Sequence, residues 1–179
     1  SDVVMGSLVV NDKKLADKLY FVQNASGAVP GPQDCFLVLR GIKTLHVRMQ
    51  RHCENAKAVA HALKANLNVG QVYWPGFEDH PNHEIAKRQM SDYVCMVSFT
   101  TKACTLESAV KTLKKIKVIT LAESLGGVES LAGHHTSMTN ASIPKEDREK
   151  TGVVDSLIRL SVGIEDIDDL LTDLEQALN

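Results

Sequence analysis

The sequence lacks an excess of charge of either sign. Its 179 residues carry 20 Lys and Arg against 22 Asp and Glu, which gives a formal net charge of −2. A chain this close to neutral has no broad electrostatic attraction to phosphate backbones or to anionic lipid surfaces. We therefore expect neither a nucleic acid nor a membrane to be its main partner.

Long apolar runs and leader-like features are also missing from the sequence. No apolar stretch approaches the roughly 20 residues that a bilayer-spanning helix needs. The first ten residues, SDVVMGSLVV, have no basic segment ahead of an apolar one. On these grounds we expect a soluble, unprocessed, cytoplasmic protein.

Cysteine is scarce, and the histidine pairs have no further metal-ligating residues at a suitable spacing. The four cysteines form no CxxC pair and are widely spaced, at Cys35, Cys53, Cys95 and Cys104. His80 and His83, like the adjacent His134 and His135, have no Cys, Asp or Glu set at zinc-like intervals. The spacing predicts reduced core thiols and no metal site.

Helical and strand-type patterns alternate along the chain. Strands are predicted at 3–10, 71–74, 93–99, 118–121 and 156–162. Helices are predicted after Asp12, over 34–67 with a weak point at Gly41, over 85–90, from Thr105, and over 166–178. Residues 122–150 are predicted to be irregular, and a loop that long is usually functional. The order of elements predicts an α/β layered domain.

Arg159 is the first candidate for chemistry. Within the sequence LIRLSV of residues 157–162, strand alternation puts three apolar residues on one face and Arg159 with Ser161 on the other. A guanidinium in a short apolar strand is costly unless it meets an anion, and its planar fork suits a carboxylate. A substrate carboxylate, an internal carboxylate and a solvated sheet face all remain open as explanations.

The second candidate is the sequence AESLGGVES of residues 122–130, which follows a predicted strand. Gly126 and Gly127 allow a sharp turn and a close approach of the backbone to a ligand. The turn would leave backbone amides and the Ser124 hydroxyl free to bind an anion. An ordinary turn is the alternative.

Four segments together carry a family pattern. They are SDVVMG at 1–6, GPQDCFLVLRGIKTL at 31–45, ESLGGVESL at 123–131 and LIRLSVGIE at 157–165. They resemble the Cys/Met metabolism family of pyridoxal-phosphate enzymes, which includes cystathionine γ-synthase, cystathionine γ-lyase, cystathionine β-lyase and methionine γ-lyase. The resemblance covers the whole chain but only the carboxyl-terminal half of such an enzyme, so we expect a fragment.

The resemblance implies a fold in two parts. Residues 1–40 would form the end of the cofactor-binding large domain, of the aspartate-aminotransferase-like fold type I, with its linker. Residues 41–179 would form a smaller carboxyl-terminal α/β domain, a mostly antiparallel sheet covered by helices. The lysine that binds pyridoxal 5'-phosphate would lie upstream of residue 1, so we expect no catalytic residue here and no activity from this chain alone.

The same resemblance implies a set of substrate-binding residues. Arg159 matches the arginine that binds the α-carboxylate of the substrate. Ser124 and Leu125 match positions that meet that carboxylate through a hydroxyl and the backbone. Glu123 matches a position associated with the choice of substrate, where a carboxylate is similar to enzymes that handle cystathionine. Thr139 matches a threonine near the substrate.

Three residues depart from the family pattern. The family usually reads MTHAS where this chain reads MTNAS, so Asn140 differs from the pattern. Ahead of that motif the family usually has an E-H-P segment, from which Gly133 and His135 differ. These changes affect the expected geometry of the loop and not the class of enzyme.

The predicted function is that of a trans-sulfuration enzyme, cystathionine γ-synthase or γ-lyase, that uses pyridoxal phosphate as an electron sink. Its substrates would be amino acids such as cystathionine, O-acylhomoserine or cysteine. Its partners would be the missing amino-terminal half and further copies in a homotetramer. The alternatives are an O-acylhomoserine sulfhydrylase, a cystathionine β-lyase or a methionine γ-lyase of the same family, or a non-catalytic α/β interaction domain.

Overall fold

The computed structural model describes residues 2–134, 136–138 and 143–179. The chain divides into two compact units, Ser1–His46 and Val47–Asn179. Among the described residues, none of the helices has the length and apolar character that crossing a membrane requires.

The first unit contains α1 (Lys13–Ser26) and α2 (Pro32–Ile42). The Asp12 side chain caps α1 by accepting a hydrogen bond from the Leu15 amide at 2.7 Å, and Gly27 ends the helix at a φ of 69°. Neither helix buries a side chain in this structure, and Tyr20 is 72% exposed. The unit therefore has no core of its own among the described residues.

Two predictions in this region are wrong. Residues 3–10 form no strand, because a strand needs a hydrogen-bonded neighbour and these residues have none in the described structure. The helix predicted over 34–67 is two helices, α2 and α3 (Leu45–Ala65), separated at Lys43 and Thr44. The break follows Gly41, where a missing side chain makes a helix less stable.

The second unit contains a five-stranded mixed sheet, mostly antiparallel, with helices between the strands. In chain order its further elements are β1 (Val69–Tyr73), α4 (His83–Gln89), β2 (Met96–Thr101), α5 (Leu106–Lys115), β3 (Thr120–Leu121), β4 (Leu131–His134), α6 (Lys145–Lys150), β5 (Leu157–Ser161) and α7 (Ile167–Leu178). The strand order is β1-β2-β5-β4-β3, and only β3 and β4 are parallel. The prediction of an α/β domain is confirmed.

The core lies between one face of this sheet and three helices. Val97 and Phe99 of β2 and Ile158 and Leu160 of β5 are buried in one cluster with apolar residues of α3, α5 and α7. Strand periodicity therefore turns the intervening residues, including Arg159, to the other face. The predicted alternation along β5 is confirmed.

Residues 118–150 differ most from prediction. The strand expected at 118–121 has only two residues, both exposed, and the stretch expected to be irregular contains β4 and α6. All four residues of β4 are buried, so its sequence LAGH shows no alternation. The α6 sequence KEDREK has no apolar periodicity.

The cysteines are free, as predicted. Cys53 is buried and Cys95 packs against the core cluster. Cys104 is exposed and Cys35 lies on α2, which buries no side chain, so the expectation of a core position is wrong for these two.

Candidate functional site

Arg159 occupies the middle of β5, the central strand of the sheet. Ser98 of β2 lies opposite it on one side and Gly133 of β4 on the other. The Arg159 side chain is half-buried, and its Nη2 donates to the backbone carbonyl of Glu123 at 3.0 Å and to that of Ser124 at 3.4 Å. The structure thus brings β5 together with the loop that the sequence identified as the second candidate.

The guanidinium carries a positive charge that no carboxylate neutralises within the described residues. The internal ion pair that the sequence left open is therefore absent from that part of the chain. Burial lowers the pKa of the Arg159 guanidinium, but an arginine stays protonated in proteins. Its hydrogen bonds in the described structure use Nη2 alone, so Nε and Nη1 remain as donors for an anion.

Gly133 makes room for this arginine. A Cβ atom at position 133 would lie 4.0 Å from Arg159 Nη2 and 3.1 Å from the carbonyl oxygen of Ala122. A side chain there would press on the loop backbone and extend toward the guanidinium. The sequence identified Gly133 only as a departure from the family pattern, because its pairing with Arg159 depends on the unpredicted strand β4.

Ser161 fixes the turn of the loop. The Gly126 amide donates to Ser161 Oγ at 2.9 Å, and Gly126 has a φ of 74°, in the left-handed region that favours glycine. Ser161 is two residues beyond Arg159 in the strand, and so on the same face. The sequence placed Ser161 on that face without assigning it a role.

A second anchor holds the far end of the loop. The Glu165 carboxylate accepts hydrogen bonds from the Ser130 amide and from Ser130 Oγ, the latter at 2.8 Å. Ser130 Oγ in turn accepts from the Gly163 amide at 2.7 Å, and the Ile164 amide donates to the Val128 carbonyl at 2.9 Å. These bonds join the turn after β5 to the end of the loop.

Helix α3 fixes the turn after β5 from the other side. Asn55 Nδ2 donates to the carbonyls of Gly163 and Glu165 at 3.1 and 2.9 Å, and His52 Nδ1 donates to the Val162 carbonyl at 2.6 Å. Asn55 and His52 are buried, so all three bonds are shielded from water. The loop beside Arg159 is therefore tied, through β5 and its following turn, to the core of the unit.

The predicted site residues differ in how the structure places them. Arg159 contacts Glu123 and Ser124 through their backbone carbonyls, whereas the side chains of Glu123, Ser124 and Leu125 are exposed. Thr139 lies outside the described residues. The roles of these residues in substrate binding stay predictions.

The groups that converge here suit one kind of ligand. The Arg159 guanidinium has Nε and Nη1 unused in the described structure, and its planar fork matches the carboxylate of an amino acid. Arg159 and its described neighbours Glu123, Ser124, Ser98 and Gly133 supply neither a lysine amine nor an aromatic ring. They do not fit an aromatic cofactor held by stacking and a Schiff base.

No group of three or more metal-ligating side chains comes together within the part of the chain that the structure describes.

Comparison with solved structures identifies close structural relatives. Cystathionine γ-lyase from Lactobacillus plantarum, complexed with L-serine, superposes with a TM-score of 0.87 at 42% identity, over 94% of this chain and 44% of that one. The structure of metB from Corynebacterium glutamicum gives a TM-score of 0.88 at 45% identity, over 96% of this chain and 43% of that one.

Sequence relatives agree with the structural ones. Cystathionine γ-lyase of Dictyostelium discoideum is 54% identical over 179 residues, which are 100% of this chain and 46% of the relative. Cystathionine β-lyase of Lactococcus lactis subsp. cremoris is also 54% identical, over 99% of this chain and 46% of the relative. The chain thus spans about half the length of the curated relatives it matches.

The family model described as Cys/Met metabolism PLP-dependent enzyme matches residues 1–179. Its match runs through the β5 strand that carries Arg159 and through the loop that contacts it. The chain belongs to the Cys/Met metabolism family of pyridoxal-phosphate-dependent enzymes.

Proposed function

We propose that this chain is the carboxyl-terminal part of a pyridoxal-phosphate-dependent trans-sulfuration enzyme acting on cystathionine, and that it binds the substrate's α-carboxylate. The observation that carries the proposal is the Arg159 guanidinium. It lies against the 123–124 backbone with Nε and Nη1 unused in the described structure. In the complete enzyme the cofactor would supply an electron sink at the substrate's α-carbon.

Arg159 contributes position and charge. A carboxylate bound through Nε and Nη1 would receive two charge-assisted hydrogen bonds, each worth about 1.5–3 kcal/mol. Since the strand and the loop are both tied to the core, the guanidinium is held before the substrate arrives, which lowers the entropic cost of binding. Fixing one end of the amino acid orients the bonds at its α-carbon.

The test uses the complete enzyme, meaning this chain joined to the amino-terminal part that its relatives have. Arg159→Lys keeps the charge but loses the fork, and Arg159→Ala loses both. We expect KM for cystathionine to rise about tenfold in the first and a hundredfold or more in the second, from the loss of one or both bonds. Arg51→Ala, which removes an exposed arginine of α3, is the control. An unchanged KM in Arg159→Ala would refute the proposal.

Glu123 supports cystathionine as the substrate. Its side chain is exposed and forms no ion pair within the described residues, while its backbone carbonyl lies 3.0 Å from Arg159 Nη2. Cystathionine has an ammonium group at the end remote from the reacting amino acid, and a nearby carboxylate would attract it. Methionine and O-acylhomoserines have no such group.

Kinetics of Glu123→Gln would separate these substrates. We expect KM for cystathionine to rise several-fold while KM for methionine or an O-acylhomoserine stays unchanged. An equal effect on all three would count against a role for Glu123 in substrate choice and leave synthase, sulfhydrylase and methionine lyase activities as equal candidates. The same assays decide the direction of the reaction: a lyase would break cystathionine down, and a synthase would form it from an O-acylhomoserine.

The proposal includes partners and location. Because α1 and α2 bury no side chain, we propose that residues 1–40 complete a cofactor-binding domain whose remainder lies in the amino-terminal half, with residues 41–179 as the smaller domain. The chain alone would then be inactive, and the complete enzyme would be a cytoplasmic homotetramer. Turnover by the purified 179-residue chain would contradict this part of the proposal, and sedimentation would give the oligomeric state.

A further inference from the structure

Ser161 is the least exposed polar residue on the face that carries Arg159. It is 1% exposed, and its Oγ accepts the Gly126 amide at 2.9 Å. In the described structure this is its one side-chain hydrogen bond. This buried hydroxyl therefore joins the loop to β5 at a point two residues from Arg159.

The two side chains hold the loop at two points. Arg159 binds the carbonyls of Glu123 and Ser124, and Ser161 binds the amide of Gly126. Arg159 and Ser161 are two residues apart in the strand, roughly 6.6 Å, and the groups that they bind lie on either side of Leu125 in the sequence. The two contacts therefore hold the backbone from Glu123 to Gly126 against the face of the sheet that carries Arg159.

Without the second contact the loop would lose its orientation. Gly126 has a φ of 74° and is followed by another glycine, so the chain has many alternative backbone conformations there. Arg159 alone fixes residues 123 and 124 but not the rotation of the next peptide. The Ser161 contact selects one of those conformations.

We propose that Ser161 is a positioning residue for the substrate carboxylate: by holding Gly126, it keeps the carbonyls of Glu123 and Ser124 against Arg159 Nη2, so that Nε and Nη1 face the anion. This inference rests on the proposed function and extends it. Ser161 does not touch the substrate. Its effect passes through the loop, so it depends on the carboxylate and not on the rest of the substrate.

The test compares two buried serines in the complete enzyme. Ser161→Ala removes the contact with Gly126. Ser156→Ala makes the same change one residue before β5, at a serine that is 0% exposed and whose Oγ has no hydrogen-bond partner in the described structure. We expect Ser161→Ala to raise KM for cystathionine about tenfold with a smaller effect on kcat, and Ser156→Ala to leave both unchanged.

A carboxamide analogue of the substrate separates positioning from general damage to the fold. We expect the wild-type enzyme and the Ser161→Ala variant to bind that analogue equally well, because it lacks the charged carboxylate that the positioned guanidinium binds. Should the alanine variant not fold, the equal-sized pair Ser161→Thr and Ser161→Val decides the question, since only threonine keeps the hydroxyl. Threonine should retain the wild-type KM and valine should lose it.

The outcomes distinguish this inference from the proposed function. If Arg159→Ala raises KM and Ser161→Ala behaves like Ser156→Ala, Ser161 is not a positioning residue and the carboxylate site stands. If Ser161→Ala weakens the carboxylate and carboxamide substrates alike, its role is structural and the inference is overturned. If Arg159→Ala has no effect, the proposed function fails and the inference fails with it.

Discussion

Asp173 of α7 is a buried carboxylate that receives three consecutive backbone amides. It is 3% exposed, and its Oδ1 accepts from the Lys117 amide at 2.8 Å. Its Oδ2 accepts from Val118 and Ile119, both at 2.9 Å. Gln176 Nε2 donates to Oδ1 at 2.9 Å. These bonds fix the end of the α5–β3 connection, which leads into the loop beside Arg159.

Asp173→Asn should destabilise the fold markedly. The substitution removes the charge and replaces one acceptor oxygen by an NH₂ group, which would face backbone amides that also donate. A hydrogen bond to a charged group contributes about 1.5–3 kcal/mol, and a buried donor left unpaired costs about 1–3 kcal/mol. Since the remaining amide oxygen keeps part of the network, we expect a loss of about 2–4 kcal/mol in the free energy of unfolding.

The effect should depend on pH in a defined direction. Burial acts to raise the pKa of Asp173, but the hydrogen bonds from the amides of residues 117–119 outweigh it and hold this pKa below its usual value. A carboxyl with a lowered pKa in the folded state stabilises the protein fully above the unfolded value of about 3.9. That contribution is lost as pH falls through the folded value. The difference between wild type and Asp173→Asn should therefore be constant from pH 8 to about pH 5 and shrink below pH 4.

Thermal unfolding of the complete enzyme and amide hydrogen exchange measure this prediction. The Tm of Asp173→Asn should fall by several degrees, and the amides of residues 117–119 should exchange faster. Asp169→Asn, an exposed residue of the same helix, should leave both unchanged. Equal protection of those three amides in wild type and Asp173→Asn would refute the reasoning.

Two further predictions follow from local geometry. Burial, with smaller effects of Asp92 and Cys95, raises the pKa of the Cys53 thiol to about 11. Iodoacetamide at pH 8 should therefore label exposed Cys104 much faster than Cys53. Equal labelling of the two cysteines, measured by mass spectrometry, would contradict this prediction. Gly126→Ala and Gly152→Ala both place alanine at a positive φ, 74° and 83°, with open space around the new Cβ. Each should cost about 1–2 kcal/mol in stability, but only Gly126→Ala should raise KM for cystathionine, and an unchanged KM there would show that the turn has no part in binding.

The sequence predicts β5, α7 and the start of α5 well, because each has a local residue pattern with one physical cause. The alternation along β5 reflects the apolar cluster that Ile158 and Leu160 face, and the 3.6-residue period of α7 reflects one buried face, so both patterns could be recognised. The Thr105 cap likewise marks the start of α5 with a local hydrogen bond to the Ser108 amide.

Other elements depend on contacts that no local pattern reveals. All four residues of β4 are buried, on both faces of the strand, so its sequence does not alternate and does not indicate a strand. Residues 3–10 have strand-type composition but no pairing partner among the described residues, and composition alone does not form a ladder.

The candidate site was predictable in part. Arg159 could be identified from the cost of a charge in an apolar strand, and the loop from its paired glycines. The roles of Gly133 and Ser161 were not predictable, because each depends on a pairing between segments far apart in the sequence. Their residue types, a glycine and a serine, carry too little chemical information to indicate such a role alone.

A crystal structure of the complete enzyme with an unreactive substrate analogue tests the central claim most directly. The account predicts that the α-carboxylate of the analogue lies at hydrogen-bond distance, about 2.7–2.9 Å, from Arg159 Nε or Nη1, with the Nη2 contacts to residues 123 and 124 retained. A carboxylate bound elsewhere, with Arg159 facing only solvent or an internal acidic side chain, would contradict it.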